Sequence, residues 1–280
     1  MALLPLRALE DRPVTTAARD WLGEIGASLA DPAANRNRLC REILAQLWYP
    51  HHASDWETAV NDPRLPAATR LSLAAMDPCN VTLEPEYYAD CDQERFQRVK
   101  PLLWLWYSFD RTPAGAQNVW LGVELRRLLA RYIFKHCGEN FKAFHNVEFS
   151  FGYNMDVGEN VVVHRNVLLD DRGGIVLGNN VSISDYANIY SHTHSIVDQK
   201  DVTNAVTRID DGVRITYHAT VLAGVHVNEQ GMVGAMAVAT KDVRPYHVYV
   251  GIPAKSVRVK PNAPTTGTGT VLRTSHERGG

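Results

Sequence analysis

A six-residue repeat of aliphatic residues runs from residue 157 to residue 238 and constrains the fold more than any other feature of the chain. Its period is neither the two residues of a flat strand nor the 3.6 residues of an α-helix. Chance alone would give such a run with a probability on the order of 10⁻⁴. The repeat positions all hold Val, Ile or Leu: Val157, Val163, Leu169, Leu177, Ile183, Ile189, Ile209, Ile215, Val221, Val227 and Val233.

This period is typical of a parallel β-helix, in which each short strand buries one side chain and three strands complete a coil. Turn-forming triplets separate the strands at 158–160, 178–180 and 210–212. Their Gly, Asn and Asp residues adopt left-handed backbone conformations at low cost. A stack of coils exposes its core at both ends, so the solenoid needs caps. We expect the first coil at 141–151, where alternating aromatic residues close one end.

Two breaks in the repeat indicate where the chain leaves the solenoid. Leu169 and Leu177 are separated by eight residues instead of six, which predicts a bulge at 170–174. Ile189 and Ile209 are separated by twenty residues where eighteen would keep the phase, which predicts a loop at 191–208. Binding residues tend to lie at such departures from a regular scaffold. The two breaks therefore mark the candidate site.

The first half of the chain has a different architecture, because all six tryptophans precede residue 121 and the repeat contains none. Helical periodicity bounded by prolines predicts helices at 14–30, 34–48, 66–76, 92–108 and 116–136. The predicted organisation is an all-α domain at 1–138 and a parallel β-helix domain at 139–260. The Thr- and Gly-rich residues 261–280 are expected to form a disordered tail.

Composition excludes several classes of function. A formal net charge of −2, with 21% charged residues, provides no basic surface for nucleic acid. The first residues are apolar only briefly before Pro5 and Arg7, which predicts neither a secretion signal nor a membrane span. We therefore expect a cytoplasmic protein. No C-x-x-C pair indicates a zinc knuckle, and the scattered cysteines predict neither a metal site nor a disulfide framework: Cys40, Cys79, Cys91 and Cys137.

Three segments together resemble the hexapeptide-repeat acyltransferases, in particular their galactoside, maltose and xenobiotic O-acetyltransferase branch. They are Asn-Ile-Tyr-Ser-His-Thr-His at 188–194, Val-Gly-Ala-Met-Ala-Val-Ala-Thr-Lys-Asp at 233–242 and Val-Gly-Ile-Pro-Ala-Lys-Ser-Val-Arg at 250–258. The resemblance implies a left-handed parallel β-helix that forms a homotrimer. It also implies that acetyl-CoA, or another acyl-CoA, lies between neighbouring subunits and donates its acyl group to a small sugar-like acceptor.

The resemblance places the catalytic histidine of the family at His194. An imidazole suits this task because its pKa lies near the operating pH, so it can take a proton from the acceptor. His192 lies two positions earlier, on the same face of an extended strand, and is expected either to orient the acceptor or to pack. A carboxylate in the bulge could fix an imidazole or bind the acceptor, and Asp170 is favoured over Asp171 for this role. Arg172 is a further acceptor-binding candidate; an exposed ion pair in a turn is the alternative for all three bulge residues.

For the co-substrate, the resemblance implies backbone contacts to pantetheine and cationic contacts to the nucleotide phosphates. Lys and Arg are suitable partners for phosphate, although a solvated surface charge is the alternative for each. The matching positions are Ala235, Thr240, Lys241, Lys255 and Arg258.

The chain departs from the family pattern at two positions. His164 stands where the sugar acetyltransferases usually have an asparagine that contacts the acceptor, so His164 is a substrate-binding candidate. Tyr217 replaces the serine found near the thioester, and either a backbone N–H or its hydroxyl would then stabilise the oxyanion.

Three other functions remain open from the sequence. Serine acetyltransferase has a similar domain order, but the chain lacks an Asp-His-Ala-Thr-Gly segment. A γ-class carbonic anhydrase would need three histidines on zinc, and the spacing here differs from that family. A solenoid that acts only as a scaffold is the non-enzymatic alternative. The helical domain could serve as an end cap, a trimer contact or a wall of the acceptor pocket.

Overall fold

A computed structural model describes residues 15–50, 55–115, 117–198 and 200–264. Helices occupy the first part of the chain and a β-solenoid the second. The α-helices are α1 (Thr15–Ala30), α2 (Arg36–Trp48), α3 (Trp56–Asn61), α4 (Ala67–Ala74), α5 (Gln93–Phe109) and α6 (Val119–Ile133). Two 3₁₀ helices lie between α4 and α5, at Pro78–Asn80 and Glu84–Tyr87.

Local capping chemistry explains where several helices begin. The side chains of Asn35, Asp92 and Asn118 accept hydrogen bonds from backbone N–H groups in the first turns of α2, α5 and α6. The short helix α3 was not predicted. The last predicted helix extends too far, because α6 ends at Ile133 and extended backbone follows at Phe134.

The solenoid consists of three sheets of mainly parallel strands, and each sheet contributes one strand to each of the first five coils. The first sheet contains β1 (His136–Cys137), β4 (Met155–Val157), β7 (Ile175–Leu177), β12 (Thr207–Ile209) and β15 (His226–Val227). The second contains β2 (Lys142–Ala143), β5 (Val162–Val163), β8 (Ser182–Ile183), β13 (Arg214–Ile215), β16 (Met232–Val233), β18 (His247–Val250) and the antiparallel β19 (Lys255–Val259). The third contains β3 (Glu148–Phe149), β6 (Leu168–Asp170), β9 (Asn188–Tyr190), β14 (Thr220–Val221) and β17 (Val238–Ala239). A hairpin of β10 (His192–His194) and β11 (Val202–Asn204) leaves the solenoid.

The pairing register confirms the six-residue repeat. Val163 pairs with Ile183 and Ile183 with Ile215 along the second sheet. All eleven repeat residues are at most 2% exposed, so each coil contributes three side chains to one continuous core. The predicted fold class, a left-handed parallel β-helix that follows an all-α region, is confirmed. The first coil begins earlier than expected, because β1 at His136–Cys137 pairs with β4.

At two of the three corners of the coils, the residue at positive φ is in most coils not a glycine. One corner has Asn140, Asn160 and Asn180 at positive φ, and Asn140 donates a hydrogen bond to Asn160 (2.9 Å). The second corner has Asn146 and Asn166 in the lower coils, followed by Tyr186, His218 and Met236 in the higher coils. Asparagine tolerates this conformation better than bulky residues do. The third corner holds both breaks in the repeat.

The helical part caps one end of the solenoid. Trp106 is fully buried and its indole N–H donates to the carbonyl oxygen of Val147 (2.9 Å). Phe134 contacts Phe141 and Phe149 edge to face, with ring centroids 5.5 and 5.1 Å apart. Helical and solenoid side chains therefore form one core cluster. The domain limits at 138/139 and 260 stay a prediction. Of the predicted tail, residues 265–280 lie outside the described residues.

Candidate active site

The longer break in the repeat forms the β10–β11 hairpin at the third corner. The strands pair antiparallel, with His192 opposite Asn204 and His194 opposite Val202. His192 and His194 alternate with Thr193 along β10, and their rings lie 5.2 Å apart at 80°. His192 is half-buried, whereas His194 is exposed. The hairpin therefore places two imidazoles side by side where the chain leaves the solenoid.

A buried carboxylate holds the first of these imidazoles. Asp170 is 2% exposed at the end of β6, and its Oδ2 contacts Nδ1 of His192. The hydroxyl of Ser150 donates to Oδ1 of the same carboxylate (2.6 Å). Because an ionised carboxylate only accepts hydrogen bonds, Nδ1 of His192 carries the proton. A neutral His192 then presents Nε2 as an acceptor.

Asp171 lies inside the turn and not in the site, which corrects the expectation that it binds the acceptor. Its carboxylate is completely buried and accepts backbone hydrogen bonds from Phe151 (2.7 Å), Gly152 (3.0 Å) and Asn154 (3.0 Å). Burial raises the pKa of Asp171 to about 6, against the opposing effect of these three donors. The carboxylate therefore holds the turn together and is closed to a small molecule.

Arg172 connects the bulge to the helical part and also lines a cavity described below, so its expected role as an acceptor ligand stays a prediction. Its guanidinium forms two hydrogen bonds with Asp90, at 3.1 and 2.8 Å, and lies 4.3 Å from the ring centre of Tyr88. Asn204 of the hairpin also donates to Asp90 (2.9 Å). Burial would raise the pKa of Asp90, but the hydrogen bonds from Arg172 and Asn204 lower it. The ion pair with Asp90 therefore neutralises the charge of Arg172.

His164 is not brought to the histidine pair within one chain. It follows β5 at the second corner, where its ring stacks on Phe144 with centroids 5.0 Å apart. The hairpin with His192 leaves from the third corner. A single chain therefore separates His164 from His192.

The expected co-substrate residues lie in the last coils. Tyr217 and Ala235 occupy equivalent turns of successive coils, because each precedes a left-handed residue, His218 and Met236. Tyr217 is 48% exposed and packs edge to face on His218. Exposed side chains also occur at the remaining predicted positions: Thr240, Lys241, Lys255 and Arg258. Within the described ranges these three cations form no ion pair.

A cavity of about 370 Å³ opens between the helical part and the third sheet of the solenoid. Asp170, Tyr190 and His192 line its solenoid side, and Trp104 and Tyr107 of α5 line the opposite side. This volume lies in the range of small-molecule sites in proteins. His192 therefore borders a space large enough for a small acceptor.

Sequence reasoning missed several residues that build this site. Ser150 and Tyr190 lie one coil before and one coil after the predicted Asp170, and they line the same cavity. Ser191 is buried, donates to the carbonyl oxygen of Asp170 (2.5 Å) and accepts from the N–H of Gly173 (2.8 Å). The regular spacing of twenty residues, one coil of this region, is the signal that would have found Ser150 and Tyr190. No sequence signal indicated the contribution of α5.

Metal-binding clusters and membrane-spanning helices are both absent from the described ranges. Within them, no group of three His, Cys, Asp or Glu side chains is placed to bind a metal ion. No helix in the same ranges has the length and apolar composition that a membrane crossing requires.

Known proteins with related sequences and structures define the class. The galactoside O-acetyltransferase of Escherichia coli (strain K12) is 28% identical over 140 residues, which cover 49% of this chain and 69% of that protein. A proposed acetyltransferase of Staphylococcus aureus (strain Mu50 / ATCC 700699) is 31% identical over 137 residues, covering 48% and 69%. No protein-family model matches the chain.

Solved structures agree with these relatives. A maltose O-acetyltransferase from Clostridium difficile 630 superposes with a TM-score of 0.54 and 25% identity, covering 62% of this chain and 91% of that chain. A galactoside acetyltransferase in complex with coenzyme A has the same fold, with a TM-score of 0.54 and 24% identity over 62% and 85%. The solenoid and its site define an acyltransferase. The chain belongs to the hexapeptide-repeat acetyltransferases.

Proposed function

We propose that this acyltransferase moves an acyl group, acetyl in the first instance, from acyl-CoA to a hydroxyl or amino group of a small sugar-like acceptor. The observation that carries the proposal is the pair of adjacent imidazoles at the base of the hairpin, one of which is held by a buried carboxylate. The names of the relatives, which act on galactosides and maltose, support a sugar-like acceptor.

His194 is the proposed general base. Its exposed imidazole takes the proton from the acceptor O–H or N–H as that oxygen or nitrogen attacks the thioester carbonyl carbon. The tetrahedral intermediate collapses, the C–S bond breaks and the protonated imidazole returns its proton to the departing thiolate. The products are an ester or amide of the acceptor and free CoA thiol. The unprotonated imidazole of the base is therefore restored after each turnover.

His192 and Asp170 are proposed to position the acceptor. Asp170 fixes the ring of His192 through Nδ1, which leaves Nε2 free to accept a hydrogen bond from a second acceptor group. His192, and not His194, lines the cavity beside α5. This difference supports separate roles, with His192 in binding and His194 in proton transfer.

Acyl-CoA is proposed to bind along the last coils, as substrate. The ammonium groups of Lys241 and Lys255 and the guanidinium of Arg258 are exposed and suit the nucleotide phosphates. The Tyr217 and Ala235 turns, with Thr240, would lie along the pantetheine arm, and the Tyr217 hydroxyl or a nearby N–H would bind the oxyanion. The Tyr217 and Ala235 turns lie at the second corner and the hairpin at the third, so we propose a homotrimer in which neighbouring subunits complete each site. His164, at this same second corner, would then face the acceptor across the subunit boundary.

The test replaces each histidine by alanine and follows thiol release from acetyl-CoA with an acceptor found by screening. His194→Ala is expected to lower kcat by about 10²- to 10⁴-fold, the usual contribution of general base catalysis. His192→Ala is expected to raise KM for the acceptor with a smaller change in kcat. Full activity of His194→Ala would refute the proposed base. Loss of kcat in His192→Ala alone would reverse the two roles.

A further inference from the structure

The cavity beside His192 has a helical wall that belongs to no known part of the transfer site. On one side are outward-facing residues of the third sheet, including Glu148, Ser150 and Tyr190. On the other side are Trp104 and Tyr107 of α5, with Glu84 of the second 3₁₀ helix. We infer, building on the proposed function, that this cavity binds the acceptor and that the acceptor is a polyhydroxylated amine of the amino-sugar class.

The charges that line the cavity favour a cation. Two of its charged residues are neutralised from outside, Asp110 by the buried Arg126 and Arg172 by Asp90. Three carboxylates then remain, those of Glu84, Glu148 and Asp170, against the single guanidinium of Arg111. A site with an excess of carboxylates attracts a protonated amine and disfavours an anionic acceptor.

Glu148 is the carboxylate best placed to bind such an amine. It begins β3 and is exposed toward the cavity side, while its neighbour Phe149 enters the core. Among the described residues its carboxylate accepts no hydrogen bond and forms no ion pair. By contrast, the carboxylate of Glu84 already accepts from the Tyr88 hydroxyl, and that of Asp170 is used by Ser150 and His192. Glu148 is therefore free for an ammonium group.

The aromatic residues of the wall suit both a sugar ring and a cation. The polar atoms of two of them are engaged elsewhere: Trp104 donates to the carbonyl oxygen of Ala75 (3.0 Å), and the Tyr107 hydroxyl bonds to backbone atoms of Phe149 (3.2 Å). These side chains therefore present aromatic carbon to the cavity. Aromatic surface packs against the apolar faces of sugar rings and attracts ammonium groups.

Binding and turnover are measured separately, with matched probes. The probes are glucosamine, galactosamine and mannosamine, each paired with the neutral sugar that carries a hydroxyl in place of the amine. Calorimetric titration of the full chain, without acetyl-CoA, is expected to show at least fivefold tighter binding of the amine in at least one pair. Glu148→Gln is expected to remove most of that preference, a change of about fivefold in Kd, while affinity for the neutral sugar stays constant. Arg111→Gln, which removes the opposing charge, should strengthen amine binding.

Three results would overturn the inference. They are equal binding of amine and neutral sugar, no binding of any amine up to about 10 mM, and an unchanged preference for the amine in Glu148→Gln. Thiol release with acetyl-CoA separates the two proposals. Amine binding that depends on Glu148, but without any thiol release, would contradict acyl transfer to this acceptor and would leave the binding site established. Rapid thiol release with neutral sugars alone would support the transfer reaction and contradict the amine.

Discussion

Asp171 allows a quantitative test of how the turn at the third corner is held. Its carboxylate accepts three backbone N–H groups, from the buried Phe151 and Gly152 and the half-buried Asn154. Replacement by alanine leaves all three without a partner, and an unsatisfied buried donor costs about 1–3 kcal/mol. We therefore expect Asp171→Ala to lower the free energy of unfolding by about 3 kcal/mol or more. Asp171→Asn should cost less, because its remaining oxygen keeps two of the donors.

The assay is urea unfolding followed by far-ultraviolet circular dichroism at one fixed protein concentration. Asp211→Ala is the matched control, because Asp211 also accepts a backbone hydrogen bond from the preceding coil, from Asn179 (2.7 Å), but is exposed. Water replaces the lost acceptor there, so the control should lose about 1 kcal/mol or less. Equal losses for Asp171→Ala and Asp211→Ala would refute the argument.

The pH dependence gives an independent check on Asp171. Burial raises its pKa from 3.8 to about 6, so the folded protein binds this proton more tightly than the unfolded chain does. The resulting stabilisation is complete below pH 3.8 and is lost as the pH rises through about 6. Two pKa units correspond to about 3 kcal/mol. The difference in stability between wild type and Asp171→Asn should therefore shrink by up to that amount from pH 4 to pH 7; a constant difference would contradict the raised pKa.

Three further predictions concern the site and its frame. Asp170→Asn should lower activity about 10- to 100-fold, the effect of losing a charge-assisted hydrogen bond to His192, measured as kcat and KM against pH. Lys241→Ala and Arg258→Ala should each raise KM for acetyl-CoA about threefold to tenfold in low salt, and this effect should weaken in 0.5 M NaCl if phosphate contacts are responsible. Gly173→Ala should destabilise the hairpin base by about 2 kcal/mol or more in urea unfolding, because a Cβ there would lie 2.2 Å from the carbonyl oxygen of Ser191; a neutral effect would show that this backbone shifts freely.

The solenoid was predictable because its pattern is local. Each six-residue step places one aliphatic side chain in the core, so the sequence from Val157 to Val233 contained the register of the sheets. The structure has breaks near 170–174 and 191–208, since a change in spacing displaces the chain whatever its surroundings are, but the second break ends earlier than predicted because β12 begins at Thr207. The start at His136 was missed because Cys137 is a weaker core signal than the aromatic residues that follow it.

The site itself depended on contacts between distant residues. Adjacent Asp170 and Asp171 look alike in the sequence, yet one holds His192 and the other is enclosed by backbone N–H groups. Arg172 binds Asp90, which lies 82 residues earlier in the chain. No local sequence pattern indicates a contact between residues so far apart in the chain. The cavity wall formed by α5 is likewise a product of tertiary packing. The same is true of the short helix α3.

The placement of every break at the third corner has a consequence for how the protein could be remodelled. The step across this corner is eight residues from Leu169 to Leu177, twenty from Ile189 to Ile209 and six from Val221 to Val227, while the strands on either side keep their register. Loop length at this corner is thus independent of the core. A second hairpin grafted at the Leu222–Gly224 turn would stand directly above the first and enlarge the acceptor range without any redesign of the buried residues.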